Sequence, residues 1–251
     1  MVLYCLGFPD RALAQSNAAI AEARRLAHPP TLAASLEVGA RVLSVFGENA
    51  ALDERAGELV AVTTELGFPF WRTYGTICHG WIKVKNGDVT EGISLLRSGS
   101  AAHRATGAEV WTPYHIALLA RACEIAGQIE EAGTQLDDAL QIAERTGERW
   151  LAAELNRHKG QLFLRQGHSE AAEELYRKAL SIAEEQGAKL WELRAAVSLA
   201  RLRRDHGRHA EARDLLAPVY GWFTEGFCTP DLKEAKALLE QLTASAIAAD
   251  G

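Results

Sequence analysis

Hydrophobic and polar residues follow one another along this chain with the period of an α-helix, as residues 170–186 illustrate. Apolar side chains recur there at spacings of three and four residues, while the charged ones fall on other faces. The apolar positions are Ala172, Leu175, Tyr176, Ala179, Leu180 and Ala183. Alanine, leucine and glutamate favour helix, and one apolar stripe is typical of a helix that buries one face. The pattern therefore predicts amphipathic helices.

Glycines divide these helices at regular intervals. The first series recurs every forty residues and comprises Gly7, Gly47, Gly87, Gly127, Gly167 and Gly207. The second series lies halfway between and comprises Gly67, Gly107, Gly147 and Gly187, with Ala27 in the earlier slot and Gly226 one residue off the later one. Glycine adopts the left-handed backbone that ends a helix at no steric cost, so each member predicts a turn. The repeating unit is a helical hairpin, in which helix A ends at the first series and helix B at the second.

Small residues recur inside both helices of the predicted hairpin. Helix A carries one seven residues before its glycine, at Ala40, Gly80, Ala120, Gly160 and Ala200. Helix B carries one five residues after that glycine, at Ala12, Gly92, Ala132, Ala172 and Ala212, with Leu52 as the exception. Because a larger side chain would push two helices apart, these positions predict a close approach of A and B.

This order of small residue, glycine and alanine resembles the tetratricopeptide repeat (TPR), whose period is about 34 residues. The resemblance implies an all-α fold, a right-handed α-solenoid of TPR-like hairpins with a forty-residue period and a C-terminal capping helix. The closing proline of the motif is absent, and generic α-solenoid packing is the alternative. We expect one repeat domain over 1–251. Its predicted parts are a partial repeat 1–27, the repeats 28–67, 68–107, 108–147, 148–187 and 188–228, and a capping helix 229–248 that begins at Thr229 and Pro230.

Charge and composition argue against several classes of partner. The net charge of −6 opposes nucleic-acid binding, and no run of 18 apolar residues exists to span a membrane. The first fifteen residues do not resemble a signal peptide, so we expect a cytoplasmic location. The four cysteines lie far apart without a C-x-x-C pair, which predicts neither a metal site nor a disulfide framework. We expect no cofactor.

Two stretches resemble a more specific group of proteins. They run from Gly147-Glu-Arg-Trp-Leu to Gly160, and from Leu193 through Pro218-Val-Tyr-Gly-Trp-Phe to Leu232. They are similar to the C-terminal repeat region of large bacterial proteins that join a class III adenylate or guanylate cyclase domain, an AAA-type ATPase domain and a helical repeat tail. The chain has no G-x-x-x-x-G-K-[ST] loop and leaves no room for a cyclase sheet. The resemblance therefore implies a regulatory, non-catalytic region of a parent protein whose cyclase and ATPase domains lie outside this chain.

The outward face of the A helices supplies the candidate binding residues. The positions thirteen, ten and six residues before each first-series glycine lie on this face, and we call each set of equivalent positions an A-helix row. In TPR-like stacks this face lines the concave side. The candidates are Tyr74, Trp81, Tyr114, Arg121, Glu154, Arg157, Arg194 and Arg201. Aromatic and arginine side chains are favoured at binding hot spots; the alternative for the aromatic ones is that they fill gaps between repeats.

Two functions follow from these candidates. The first is a protein-interaction or regulatory scaffold that binds a peptide, a partner protein or another domain of its parent in this groove. The alternative is a sensor that binds a small-molecule effector there. We expect no enzymatic activity, because no Ser or Cys stands with a His and a carboxylate in a known catalytic motif.

Overall fold

The structure is a computed structural model that describes residues 1–249, and within that range it contains α-helices and no β-strand. The helices are α1 (Val2–Cys5), α2 (Pro9–Arg25), α3 (Pro29–Phe46), α4 (Asn49–Glu65), α5 (Pro69–Lys85), α6 (Val89–Ala105), α7 (Thr112–Ile125), α8 (Ile129–Thr146), α9 (Ala152–Arg165), α10 (Ser169–Glu185), α11 (Lys189–Asp205), α12 (His209–Gly221) and α13 (Pro230–Ala249). A short 3₁₀ turn, Arg149–Leu151, precedes α9. Within the described residues, no helix combines the length and the hydrophobicity that a membrane span requires.

The glycine series marks the helix ends, as predicted. Every glycine of both series, and Gly226, has a positive φ between 62° and 94°. The alanine in the equivalent early slot, Ala27, also has a positive φ of 47°. Left-handed backbone at each junction reverses the chain, so that helices A and B of one repeat lie antiparallel. The predicted all-α repeat fold is therefore confirmed.

The small residues allow the two helices of a hairpin to approach closely. A β-carbon built on Gly80 of α5 would lie 2.9 Å from the carbonyl oxygen of Gly92 in α6. On Gly160 of α9 it would lie 2.7 Å from the Tyr176 ring of α10. The alanines at the equivalent positions of other repeats are buried, among them Ala40, Ala132 and Ala200. These positions act as packing contacts rather than as ligand sites.

The chain forms two compact units. The first unit comprises residues 11–149, and Met1 is grouped with it; the second comprises residues 2–10 and the chain from Trp150 onward. In the first unit the hairpins are α3 with α4, α5 with α6, and α7 with α8. In the second they are α9 with α10 and α11 with α12, followed by α13. That all of 1–251 is one repeat domain stays a prediction.

Both chain ends contribute to the second unit. The short helix α1 packs on α11, and the Asp10 carboxylate accepts a hydrogen bond of 2.9 Å from the Gly226 amide. Helix α13 begins at Pro230, directly after Thr229, whose hydroxyl lies 3.5 Å from the Leu232 amide and caps the helix. Its inner face is buried against α11 and α12. Residues 2–10 thus belong to the unit of the C-terminal hairpins, although they lie near the start of the chain.

Candidate functional site

A buried arginine, Arg41, organises the centre of the first unit. Its side chain is 1% exposed and forms an ion pair with Glu37, one turn earlier in α3. The guanidinium carbon lies 3.7 Å from the centroid of the Trp111 ring, 4.6 Å from that of Tyr74 and 5.8 Å from that of Tyr114. A desolvated cation over aromatic faces is stabilised by about 2 kcal/mol. One charge therefore joins α3, α5 and the start of α7; we call these five residues the Arg41 cluster.

Trp111 holds its place in the Arg41 cluster with an unusual backbone. Its φ of 66° lies in the left-handed region, which is strained for a bulky side chain. The Trp111 amide donates a hydrogen bond of 2.9 Å to the Glu148 carboxylate, which anchors the segment before α7. The ring contact with Arg41 and this hydrogen bond together compensate for the strained conformation.

Two histidines adjoin the Arg41 cluster. The His103 and His115 ring centroids lie 4.7 Å apart, and His115 lies 5.7 Å from Tyr74. Burial, together with the positive charges nearby, holds the pKa of His115 well below its usual range. Burial also lowers the pKa of His103, although the Val110 carbonyl lies 3.0 Å from its Nε2. Both rings are therefore neutral at pH 7. Burial likewise raises the pKa of Tyr114 to about 12, and its hydroxyl donates to Ser44 at 2.8 Å.

A second buried group, the Arg194 network, lies in the second unit and consists of Glu154, Arg157, Arg194, Asp231 and Tyr4. Arg157 donates two hydrogen bonds to the Glu154 carboxylate, at 2.7 and 2.8 Å. Arg194 donates two to Asp231, at 2.8 and 2.9 Å, and others to Glu154 and to the Tyr4 hydroxyl, both at 3.1 Å. Two guanidinium groups thus face two carboxylates, and their formal charges cancel.

The electrostatics of the Arg194 network depend on this pairing. Burial alone would raise the pKa of the Glu154 carboxyl, but the charges of Arg157, His158 and Arg194 outweigh burial and hold that pKa well below its usual range. Burial alone would lower the pKa of Arg194, but the charges of Asp231 and Glu154 and the hydrogen bonds to Asp231 instead raise it. Charge-assisted bidentate pairs of this kind fix side-chain geometry. The network therefore holds α1, α9, α11 and α13 in register.

Five of the eight predicted groove residues lie in these two groups. Tyr74 and Tyr114 belong to the Arg41 cluster, whereas Glu154, Arg157 and Arg194 belong to the Arg194 network. Their mutual contacts are those of interior groups that connect neighbouring helices. That they bind a partner stays a prediction.

The three remaining candidates lie elsewhere. Trp81 is buried, and the Arg121 guanidinium carbon lies 5.3 Å from its ring centroid. Arg201 is exposed and forms an ion pair with Glu234 of α13. Among the predicted residues, Arg201 is thus exposed, whereas Arg121 and Arg194 are half-buried.

Sequence reasoning missed five members of the two groups. Arg41 and Glu37 lie in A-helix rows, but Trp111, Asp231 and Tyr4 do not. The forty-residue period could have pointed to Arg41, because it occupies the row of Trp81 and Arg121. No local pattern indicates that the acid at the start of α13 or a tyrosine in α1 would reach Arg194.

Open depressions occur among the described residues of the first unit. The first, the apolar groove, has a volume of about 460 Å³ and runs between α2, α3 and the start of α5. It is lined by Ser16, Ala19, Pro30, Thr31, Ala34, Ser35, Val38 and Trp71. Val38 is 39% exposed, so the groove presents aliphatic surface to water. A groove of this kind can accept the apolar side chain of a partner.

The second depression, the polar cleft, has a volume of about 360 Å³ and lies between α6, α7 and α8. It is lined by Arg97, Ser100, Arg104, Ile116, Leu119, Gln135, Asp138, Gln141 and Ile142. The two depressions share no residue. Their linings also differ, because the polar cleft has charged walls whereas the apolar groove has none.

Two cysteines and the acidic and histidine side chains of the described residues were candidates for covalent or metal chemistry. Among residues 1–249, no group of three or more His, Cys, Asp or Glu side chains is placed to hold a metal ion. Burial raises the pKa of the Cys78 thiol to about 12 and that of Cys5 to about 11, so neither is a thiolate at pH 7. A thiol in that state is a poor nucleophile.

The tetratricopeptide repeat family matches residues 112–185, which comprise α7 to α10. An uncharacterized protein of Rhizobium meliloti (strain 1021) is 31% identical to this chain over 124 residues, or 49% of the chain. The chain spans only 12% of the length of that relative. The repeat signature is thus recognisable in sequence over the middle of the chain.

Solved structures of low sequence identity share the fold. BtubC (BKLC) from P. vanneervenii is 17% identical with a TM-score of 0.58, and the match covers 97% of this chain and 92% of that one. A Rap protein complexed with Competence and Sporulation Factor is 14% identical with a TM-score of 0.59, over 85% of this chain and 64% of that one. A putative kinesin light chain of Podosopora anserina with TPR-like repeats is 23% identical with a TM-score of 0.52, over 77% of this chain and 95% of that one. The chain is therefore a TPR-like helical repeat protein, and such repeats are generally non-catalytic.

Proposed function

We propose that this chain is a non-catalytic protein-interaction scaffold whose apolar groove accepts a segment of a partner protein. The observation that carries the proposal is the groove itself, where Ala34, Val38 and Trp71 present apolar surface beside buried helices. Surface of this kind is a common mark of interaction sites on folded proteins. The Rap neighbour, which is complexed with Competence and Sporulation Factor, supports the idea that such a fold holds a partner.

The lining of the groove defines the chemistry of the partner. Pro30, Ala34 and Val38 favour an aliphatic or aromatic side chain, and Trp71 offers a flat ring on which that side chain can pack. Thr31 and Ser35 also line the groove; the Thr31 hydroxyl is hydrogen-bonded to His28 Nδ1 at 2.7 Å, and the Ser35 hydroxyl is the proposed contact for a peptide backbone. The groove contains no charged residue, so the proposed occupant is a peptide segment with an uncharged apolar anchor.

The predicted A-helix residues enter this proposal in two ways. Arg121 and Arg201 reach solvent and are proposed to contact a bound partner directly. The buried members of the Arg41 cluster hold the hairpins rigid, which reduces the entropy lost on binding. A small-molecule effector in the A-helix groove remains the alternative to a protein partner.

We propose further that the chain acts inside the cytoplasm as a regulatory region of a larger bacterial signalling protein of the cyclase and ATPase type. The resemblance of residues 147–160 and 193–232 supports this proposal. The length of the Rhizobium meliloti relative, of which the chain spans 12%, is also consistent with it. Other domains of the same protein are then candidate partners.

Selection of displayed peptides on the purified chain tests the proposed groove. We expect enriched peptides to share an apolar anchor, and their affinity to fall at least tenfold in Trp71→Ala and in Val38→Ser. The control for Val38→Ser is Ile125→Ser, because Ile125 is also exposed and apolar, lies in the same unit and does not line the groove. Lys178→Ala, on the exposed side of α10, is a second control.

The outcomes separate the two parts of the proposal. If the affinity of the peptides is unchanged in the Trp71 and Val38 variants but falls when Arg121 or Arg201 is replaced, the apolar groove is not the binding site. The scaffold function would still stand in that case. Failure to enrich any peptide would contradict the scaffold.

A further inference from the structure

The polar cleft of the first unit combines three kinds of surface in one small depression. One wall is cationic and comes from α6, where Arg97 and Arg104 lie seven residues apart on one helix face. The opposite wall comes from α8 and carries Asp138. Ile116 and Leu119 of α7, both buried, form the floor between the walls.

The charged residues of the cleft differ in whether they already form an ion pair within the chain. Arg97 forms an ion pair with Glu131 of α8. Arg104 and Asp138, in contrast, form no ion pair with any residue in the described part of the chain. The cleft therefore presents one available positive charge and one available negative charge on opposite sides.

A buried hydroxyl points to a ligand at the same place. Ser100 lies between Arg97 and Arg104 on α6 and lines the cleft, yet the residue is only 7% exposed. Its Oγ has no hydrogen-bond partner among residues 1–249. A buried hydroxyl without a partner costs free energy, and a ligand atom that accepts its proton would remove that cost.

We propose that the polar cleft binds a small zwitterion with an aliphatic side chain, of the chemical class of a free branched-chain α-amino acid. The carboxylate of the ligand is bound by Arg104 and Ser100, and its ammonium group by Asp138. The aliphatic side chain packs on Ile116, Leu119 and Ile142. The volume of about 360 Å³ lies at the small end of ligand pockets, which suits a ligand of this size.

The charge pattern excludes other ligand classes. A phosphate or a nucleotide would bring two or more negative charges beside Asp138. A purely apolar molecule would leave Ser100 unsatisfied and would desolvate Arg104. This site shares no residue with the apolar groove, so it does not depend on the proposed scaffold function.

Calorimetric titration of the intact chain with L-leucine tests the proposal, with N-acetyl-L-leucine and L-leucinamide as probes that each lack one charge. Leucine should bind at least tenfold more tightly than either probe and than glycine, which lacks the side chain. Arg104→Gln should weaken leucine binding at least tenfold and remove its advantage over leucinamide. Asp138→Asn should weaken it similarly and remove the advantage over N-acetyl-leucine.

Matched variants show whether the effect belongs to this cleft. Arg72→Gln and Glu130→Gln make the same chemical changes at exposed positions outside the lining, and leucine binding should not change in them. Ser100→Ala should weaken leucine binding several-fold without loss of helix content. Equal affinity for leucine and both probes, or leucine binding that survives Arg104→Gln and Asp138→Asn, would overturn the proposal, as would the absence of leucine binding. Peptide binding at the apolar groove is measured separately, so either site can fail alone.

Discussion

Replacing Gly80 with alanine should destabilise the hairpin of α5 and α6, because the two helix backbones meet at this residue. A β-carbon on Gly80 would lie 2.9 Å from the Gly92 carbonyl oxygen, 2.9 Å from the Leu96 amide nitrogen and 3.0 Å from the Leu95 β-carbon. Ordinary contacts of a β-carbon are 3.4–4 Å. Two of these neighbours are backbone atoms that cannot rotate away, so one helix has to shift.

Two opposing contributions set the size of the effect. Overpacking of this kind costs about 1–3 kcal/mol. Alanine in place of glycine inside a helix stabilises the folded protein by about 1 kcal/mol, because alanine has the higher helix propensity. The net loss in the free energy of unfolding is therefore between about zero and 2 kcal/mol. Gly133→Ala in α8 is the matched control, because a β-carbon there has no neighbour within 4 Å and only the helix contribution remains.

Thermal and urea unfolding of the two variants measure the difference. One kcal/mol shifts the Tm by about 2–4 °C in a protein of this size, so Gly133→Ala should raise the Tm and Gly80→Ala should not. Gly160→Leu should lower it, because even the first side-chain atom lies 2.7 Å from the Tyr176 ring. If Gly80→Ala and Gly133→Ala raised the Tm equally, the small residues would not be packing contacts and the reasoning would be refuted.

Variants at three further positions test the buried groups. Glu154→Gln removes the carboxylate that compensates two buried arginines, so the free energy of unfolding at pH 7 should fall by about 3–5 kcal/mol in urea titration; an unchanged value would contradict the network. His115 stays neutral in the folded state, whereas the unfolded chain takes up a proton as the pH falls through about 6.5. Stability should therefore decline below that pH, and His115→Leu should make the decline shallower when the unfolding midpoint is followed from about pH 7 to 5; identical slopes would argue against a neutral His115. Trp111→Gly should be more stable than Trp111→Ala by about 1 kcal/mol, since both lose the ring and only glycine relieves the left-handed backbone; the reverse order would show that this backbone is not strained.

The sequence by itself was sufficient to predict the forty-residue repeat and the two helices that compose it. Turn chemistry and helical periodicity are local properties, so the two glycine series located the helix ends and the apolar stripe of 170–186 identified a buried face. The close contact at Gly80 was predictable for the same reason, since one period carries a small residue to the same place in every hairpin. Thr229 and Pro230 located the start of α13 through the preferences of helix N-termini.

Only the tertiary structure decided which side chains meet. The A-helix rows contained Glu154, Arg157 and Arg194, but Asp231 and Tyr4 complete their network from elements at opposite ends of the chain. The contact between Arg41 and Trp111 likewise joins residues that are distant in sequence. The lining of the polar cleft also comes from three successive helices. Such meetings depend on how closely whole helices pack. The distance between two helices depends on all the side chains that pack between them. The sequence pattern of one helix therefore does not predict which residues of the two helices touch.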